Sequence, residues 1–177
     1  MRSQLFCSLL VLVALLGACT PSFEADVREV EVTQRGVKVP ASPATMAGGD
    51  VSVSGTFRLS SSDASWAKLM NTGVQVHRVT IAPSSSLTDL NFIKFALVNV
   101  SAGSSSEGPT RILDYDSDIA PPTGSAIDLA MATPIDITTA WTADDTVIDF
   151  ELAGQLPTQD WTFDLTLKLS GKIAYEY

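Results

Sequence analysis

From Trp161 to Tyr177 every odd-numbered position is apolar or glycine, and the even positions are Thr162, Asp164, Thr166, Lys168, Ser170, Lys172, Ala174 and Glu176. A period of two over seventeen residues belongs to a strand with one face on a core and the other toward water. Gly171 falls within the odd series, so the run reads as one strand or as two joined by a bend. Upstream, Ile148, Phe150 and Leu152 alternate with Val147, Asp149 and Glu151, and Gly154 to Asp160 turns the chain. Residues 147–152 and 161–167 are therefore expected to form a hairpin.

The same period recurs toward the amino terminus. Val51, Val53, Gly55, Phe57 and Leu59 share one face of a strand, with Ser52, Ser54, Thr56 and Arg58 on the other. Val30 and Val32 lie on even positions and Val37 and Val39 on odd ones, with Gly36 between. A strand that changes parity needs a bulge or tight turn at that point. Residues 40–49 (PASPATMAGG) read as a loop. Ser62 or Asp63 is placed to cap a short helix carrying Trp66, Leu69 and Met70, ended by Gly73. Residues 74–82 return to strand character. Residues 90–100 (LNFIKFALVNV) are apolar on both faces, as in a strand covered on both sides. Asp114 to Gly124 reads as an acidic, proline-bearing loop. Residues 126–129 and 135–137 read as short extended pieces, and Thr138 to Asp145 as a helical turn around Trp141.

Seven to nine strands with turn signals between them predict an all-β domain, an antiparallel β-sandwich of Ig-like or jelly-roll-like type, with a closed barrel as the alternative. An outer-membrane barrel is disfavoured, because its strands would repeat a lipid-facing apolar band.

Residues 1–18 are of another kind. Arg2 is the only charge before Glu24, and Leu5 to Leu16 is apolar apart from Cys7 and Ser8. That run of about a dozen residues is shorter than the roughly 20 needed to span a bilayer. A basic start, a short apolar core and small residues after it describe a secretory signal helix that is cleaved off. Leu16-Gly17-Ala18-Cys19 resembles the lipobox of bacterial lipoproteins. The resemblance covers residues 1–19 only. It implies cleavage between Ala18 and Cys19, a diacylglycerol thioether on Cys19 and commonly a third acyl chain such as palmitate on the new amine. Two or more chains hold a protein stably to a membrane. Thr20 stands where Asp retains such proteins in the inner membrane of enteric bacteria, so the resemblance implies an outer-membrane address. The expected organisation is a signal peptide at 1–18, a lipidated tether at 19–26 and one β-domain at 27–177.

Cleavage would remove Arg2 and no acid, taking the formal charge from −9 to −10. Such a chain repels phosphate backbones and anionic lipid, so no nucleic-acid partner is expected. Cys7 leaves with the signal and Cys19 carries lipid, and these are the only two cysteines. The domain is thus expected to fold without a disulfide, and thiol catalysis and thiolate metal sites are excluded.

Three constellations remain. Asp114, Asp116 and Asp118 can aim carboxylates at one hard cation, and Ca²⁺ takes oxygen ligands. The EF-hand pattern fails, since Ile119 stands where Gly is needed and Ser125 where Glu is needed; a solvated loop is the plainer reading. Asp149 and Glu151 with Asp144 and Asp145 form a second acidic set, usable for glycoside hydrolysis only across a cleft. His77 is the only histidine, and no G-x-S-x-G elbow accompanies it. Trp66 and Trp141 sit in irregular segments and are candidate binding residues, whereas Trp161 opens the apolar face and should be buried. The expectation is a non-enzymatic, lipid-anchored envelope domain that serves through structure or binds an envelope protein or glycan. A Ca²⁺-dependent or glycan-binding adhesion module is the alternative, and a carboxylate-based hydrolase follows it.

Overall fold

The computed structural model describes residues 22–42, 49–59, 67–84, 87–103, 108–121, 124–141 and 145–176. They form eight strands: β1 (Ser22–Val39), β2 (Val51–Arg58), β3 (Thr72–Pro83), β4 (Ile93–Ala102), β5 (Thr110–Asp116), β6 (Ile127–Asp136), β7 (Thr146–Gly154) and β8 (Trp161–Glu176). Two four-stranded sheets result, ordered β1-β8-β3-β6 and β2-β7-β4-β5. Every pairing is antiparallel. The pairs β1/β8, β2/β7, β3/β6 and β4/β5 are those of one long hairpin folded at its middle. Rolling that hairpin adds β3/β8 and β4/β7, which is the jelly-roll arrangement of a β-sandwich.

This topology corrects the hairpin expected between 147–152 and 161–167. Strands β7 and β8 are central strands of opposite sheets, and residues 155–160 carry the chain across the sandwich. Their apolar faces meet across the core instead of along a ladder. Phe150 of β7 and Phe163 of β8 contact edge to face with centroids 5.3 Å apart, a favoured aromatic geometry. The alternation was legible in each strand, but a period of two is the same whether neighbours pair or stack.

β8 is one strand through Gly171. A Cβ there would press on Met70 Sδ and on Val74, so glycine lets η1 (the 3-10 turn Ala67–Leu69) and the start of β3 close over it. The parity change in β1 is a bulge: register shifts between Gln34 and Val37, and Gly36 adopts φ 63°, which glycine tolerates best. A second shift separates Val27 from Val30, where Glu29 sits at φ 49°.

Other expectations are corrected. Residues 22–26, read as tether, belong to β1 and pair with Glu176 through Lys172. β4 buries Ala96, Val98 and Val100 but leaves Phe95 and Leu97 half-exposed, because nothing covers the outer face of its sheet. Asp114 and Asp116 lie in β5, not in a loop. The two pieces at 126–129 and 135–137 are one strand, β6, and its Pro134 is tolerated because β6 is an edge. Around 60–71 the described residues hold only η1. Ser62, Asp63 and Trp66 fall outside the described residues, as do Ala18 and Cys19.

The strand ends sort into two clusters. The near end carries the start of β1, the end of β8, η1, the start of β3 and the turn at 137–141. The far end carries the end of β1, the start of β8 and the connections 40–50, 84–92, 117–126 and 155–160.

Candidate functional site

The aspartates at 114, 116 and 118 do not gather. Asp114 faces outward from β5 and pairs with Arg111 at 3.1 Å. Asp116 Oδ1 accepts the backbone N–H of Asp118 at 2.9 Å, and its carbonyl accepts the N–H of Ala120 at 2.9 Å, closing a tight turn. Among the described residues no three His, Cys, Asp or Glu side chains are grouped so as to hold a metal ion. The intervening Tyr115 points inward and is buried.

Trp141 is corrected from a binding candidate to a structural anchor. It is buried, and its Nε1–H donates to the Ala67 carbonyl at 3.0 Å. The turn that carries it is fixed by Asp136, whose Oδ1 accepts both the N–H and the hydroxyl of Thr138 at 2.8 and 2.6 Å. These bonds hold the Asp136 carboxyl below the ordinary carboxylate range. Trp161 is buried as expected, 4 % exposed, with Phe92 edge-on at 5.3 Å.

On the outer face of β7, Asp149 accepts from Thr56 Oγ1 at 2.6 Å and Glu151 from Ser52 Oγ at 2.8 Å. Both stand in the middle of a sheet face, with Asn99 and Leu97 of β4 opposite them. A glycosidase pair flanks the bond it cleaves from two sides, and two side chains on alternate positions of one strand do not.

One juxtaposition was missed in the sequence. His77 Nε2 lies 2.7 Å from Ser170 Oγ on the outer face of the β3/β8 pair. Both β1 and β3 shift register beside Ser170, and a depression of about 360 Å³ lined by Arg28, Gln75, Ser170 and Lys172 opens there. A serine nucleophile needs a base held in orientation by a third group. Of the neighbouring acids, Asp136 is engaged by Thr138 and Glu29 by Lys168 at 3.1 Å, while Asp26 also lines the depression, in register with Lys172. Lys172 is itself ion-paired with Glu24, which raises its pKa. The pair is thus a cross-strand hydrogen bond of the sheet face. Its two residues are 93 apart in sequence, and no local motif connects them.

Two further depressions, of about 340 and 400 Å³, flank Asp160 and Trp161 at the far end. Asp160 there accepts the N–H of Ala41 at 2.8 Å. The exposed large apolar side chains at the near end are Phe23, Leu69 and Tyr175, and at the far end Ile119. No protein-family model and no curated protein matches the chain.

Proposed function

We propose that the chain is a lipid-anchored envelope lipoprotein whose jelly-roll domain works by structure or binding rather than by catalysis. The observation that carries this reading is Leu16-Gly17-Ala18-Cys19 behind a short apolar run with a basic start. The engagement of Asp136 by Thr138 and of Glu29 by Lys168 supports the non-catalytic part. An outer-membrane address follows from Thr20. In this arrangement the near end faces the membrane, and the far-end loops with the depressions beside Trp161 are offered to an envelope protein or glycan.

The test is Cys19→Ser with radiolabelled palmitate in the expressing cell. The wild type should take up label and fractionate with outer membrane, and the variant should take up none and accumulate as uncleaved precursor. Normal cleavage of the variant together with an unlabelled wild type would overturn the reading.

A further inference from the structure

The near end of β1 and β8 runs past the core as a two-stranded ribbon. Phe23 and Tyr175 are direct cross-strand partners there. Both continue the face that is core everywhere else in these strands, yet they are 53 % and 43 % exposed. On β8 the change is abrupt: Ile173 is 5 % exposed, and two residues later the cover is gone. The ribbon is nevertheless held firmly. Asn71 Nδ2 donates to the Ala174 carbonyl at 2.7 Å, and Asn71 Oδ1 accepts the Ala174 N–H at 2.9 Å. Leu69, also exposed, precedes this clamp on the same end.

Two residues, Thr20 and Pro21, separate Cys19 from Ser22. At no more than ~3.6 Å per residue, the Cα of Phe23 lies within about 14 Å of the Cα of Cys19. The headgroup layer of a bilayer is itself about 5–7 Å deep on each side. An acyl anchor on Cys19 therefore keeps the ribbon tip within reach of the lipid surface. Aromatic side chains at that depth have their rings in apolar surroundings, and a tyrosine can keep its hydroxyl in water.

We infer that the Phe23–Tyr175 ribbon, with Leu69, is a membrane-contacting edge that seats the domain upright on the bilayer. The inference rests on lipidation of Cys19. The attraction is apolar, because the acidic ribbon residues Glu24 and Asp26 disfavour anionic headgroups. A rigid seat of this kind fixes which end of the sandwich points outward, where a flexible tether would leave the domain free to tumble.

The experiment uses the mature, palmitate-labelled protein, which has lost Cys7 with the signal, in phosphatidylcholine vesicles. Lipid blocks Cys19, so a single added cysteine, Ala174→Cys or Ile119→Cys, carries an environment-sensitive fluorophore. Spin-labelled headgroups should quench the label at 174 at least about twofold more than at 119, because only the near end lies within the interface. Adding Phe23→Ser with Tyr175→Ser should cut the quenching at 174 by about half, toward that at 119, without changing palmitate uptake or the melting temperature. Quenching at 174 that the two substitutions leave unchanged overturns the inference and assigns the proximity to the anchor alone. Labelled protein with equal quenching at both positions overturns the inference and leaves the anchor standing. Concentration-dependent self-quenching at 174 without a response to spin-labelled lipid overturns it in favour of a second copy of the chain. A wild type that takes up no palmitate ends both readings.

Discussion

β8 carries an aromatic residue at or next to each of its ends, both on the same face, and the two meet opposite fates. Trp161 at the far end is 4 % exposed and packed edge-on by Phe92, while Tyr175 at the near end is 43 % exposed. The difference lies in what stands across the sandwich. At the far end the connection 84–92 brings Leu90 and Phe92 over β8, whereas at the near end the facing sheet stops at Arg58, Ala102 and Thr146 and β8 runs on. Polar atoms show the reverse arrangement. The buried near-end indole Nε1 of Trp141 has the Ala67 carbonyl, but two buried far-end atoms, Trp161 Nε1 and Tyr115 Oη, have no partner among the described residues. The far end covers Trp161 and leaves its indole N–H without a bond among the described residues, and the near end bonds the Trp141 indole and exposes Phe23, Leu69 and Tyr175.

The sharpest way to break this comparison is to truncate both ends of β8. Trp161→Ala should cost about 3–5 kcal/mol, the usual range for emptying a buried aromatic site. Tyr175→Ala should stay within about 0.5 kcal/mol in solution, as surface substitutions do. Urea denaturation of detergent-free protein reads both. A loss above about 2 kcal/mol at Tyr175 would mean that the near end is covered after all.

The indoles sharpen it further. Trp141→Phe removes ring volume and also strands the Ala67 carbonyl, so about 2 kcal/mol is expected from cavity and lost hydrogen bond together. Trp161→Phe removes the same volume from a site whose Nε1 bonds nothing, so it should cost less. Equal losses in the two variants would show that the Trp141–Ala67 bond contributes nothing to stability.

The same contrast explains how far the sequence could be read. Strand faces were legible where the period of two is unbroken, in β2, β7 and β8, and the bulge at Gly36 was legible as a parity change between Val32 and Val37. Pairing was not legible. β7 and β8 are neighbours in sequence and lie in different sheets, and nothing in their alternation separates stacking from hydrogen bonding. Nor does a pattern report its own cover: Leu169 and Tyr175 occupy equivalent positions of one series, and only the length of the opposite sheet distinguishes them. The Asp114-Tyr115-Asp116 run read as a loop because acidic residues are poor strand formers, yet an edge strand with an outer face in water accepts them. Within that strand Tyr115 takes the inward face between the two aspartates. The contact between His77 and Ser170 depends on register across two strands, which no local signal carries.

One expected effect has the opposite sign. Tyr115 is 2 % exposed, pairs in register with Ala96 and presents a hydroxyl that bonds nothing in the protein. An unsatisfied buried hydroxyl destabilises the fold, so Tyr115→Phe should gain about 1 kcal/mol at neutral pH, a rise of roughly 2–4 °C in melting temperature for a domain of this size. Alkaline solution should widen the gap. Burial pushes the phenol pKa up, and the Asp116 charge adds to it, so the unfolded chain ionises before the folded one. The wild type therefore keeps its full stability below the ordinary phenol range and loses stability as pH climbs through it toward the higher folded value, a loss the phenylalanine variant lacks at this position. Melting curves of both proteins at neutral and alkaline pH measure the two effects separately. A variant less stable than wild type at neutral pH would mean that the hydroxyl is satisfied in solution, and the contrast between the two ends in their buried polar atoms would then rest on Trp161 alone.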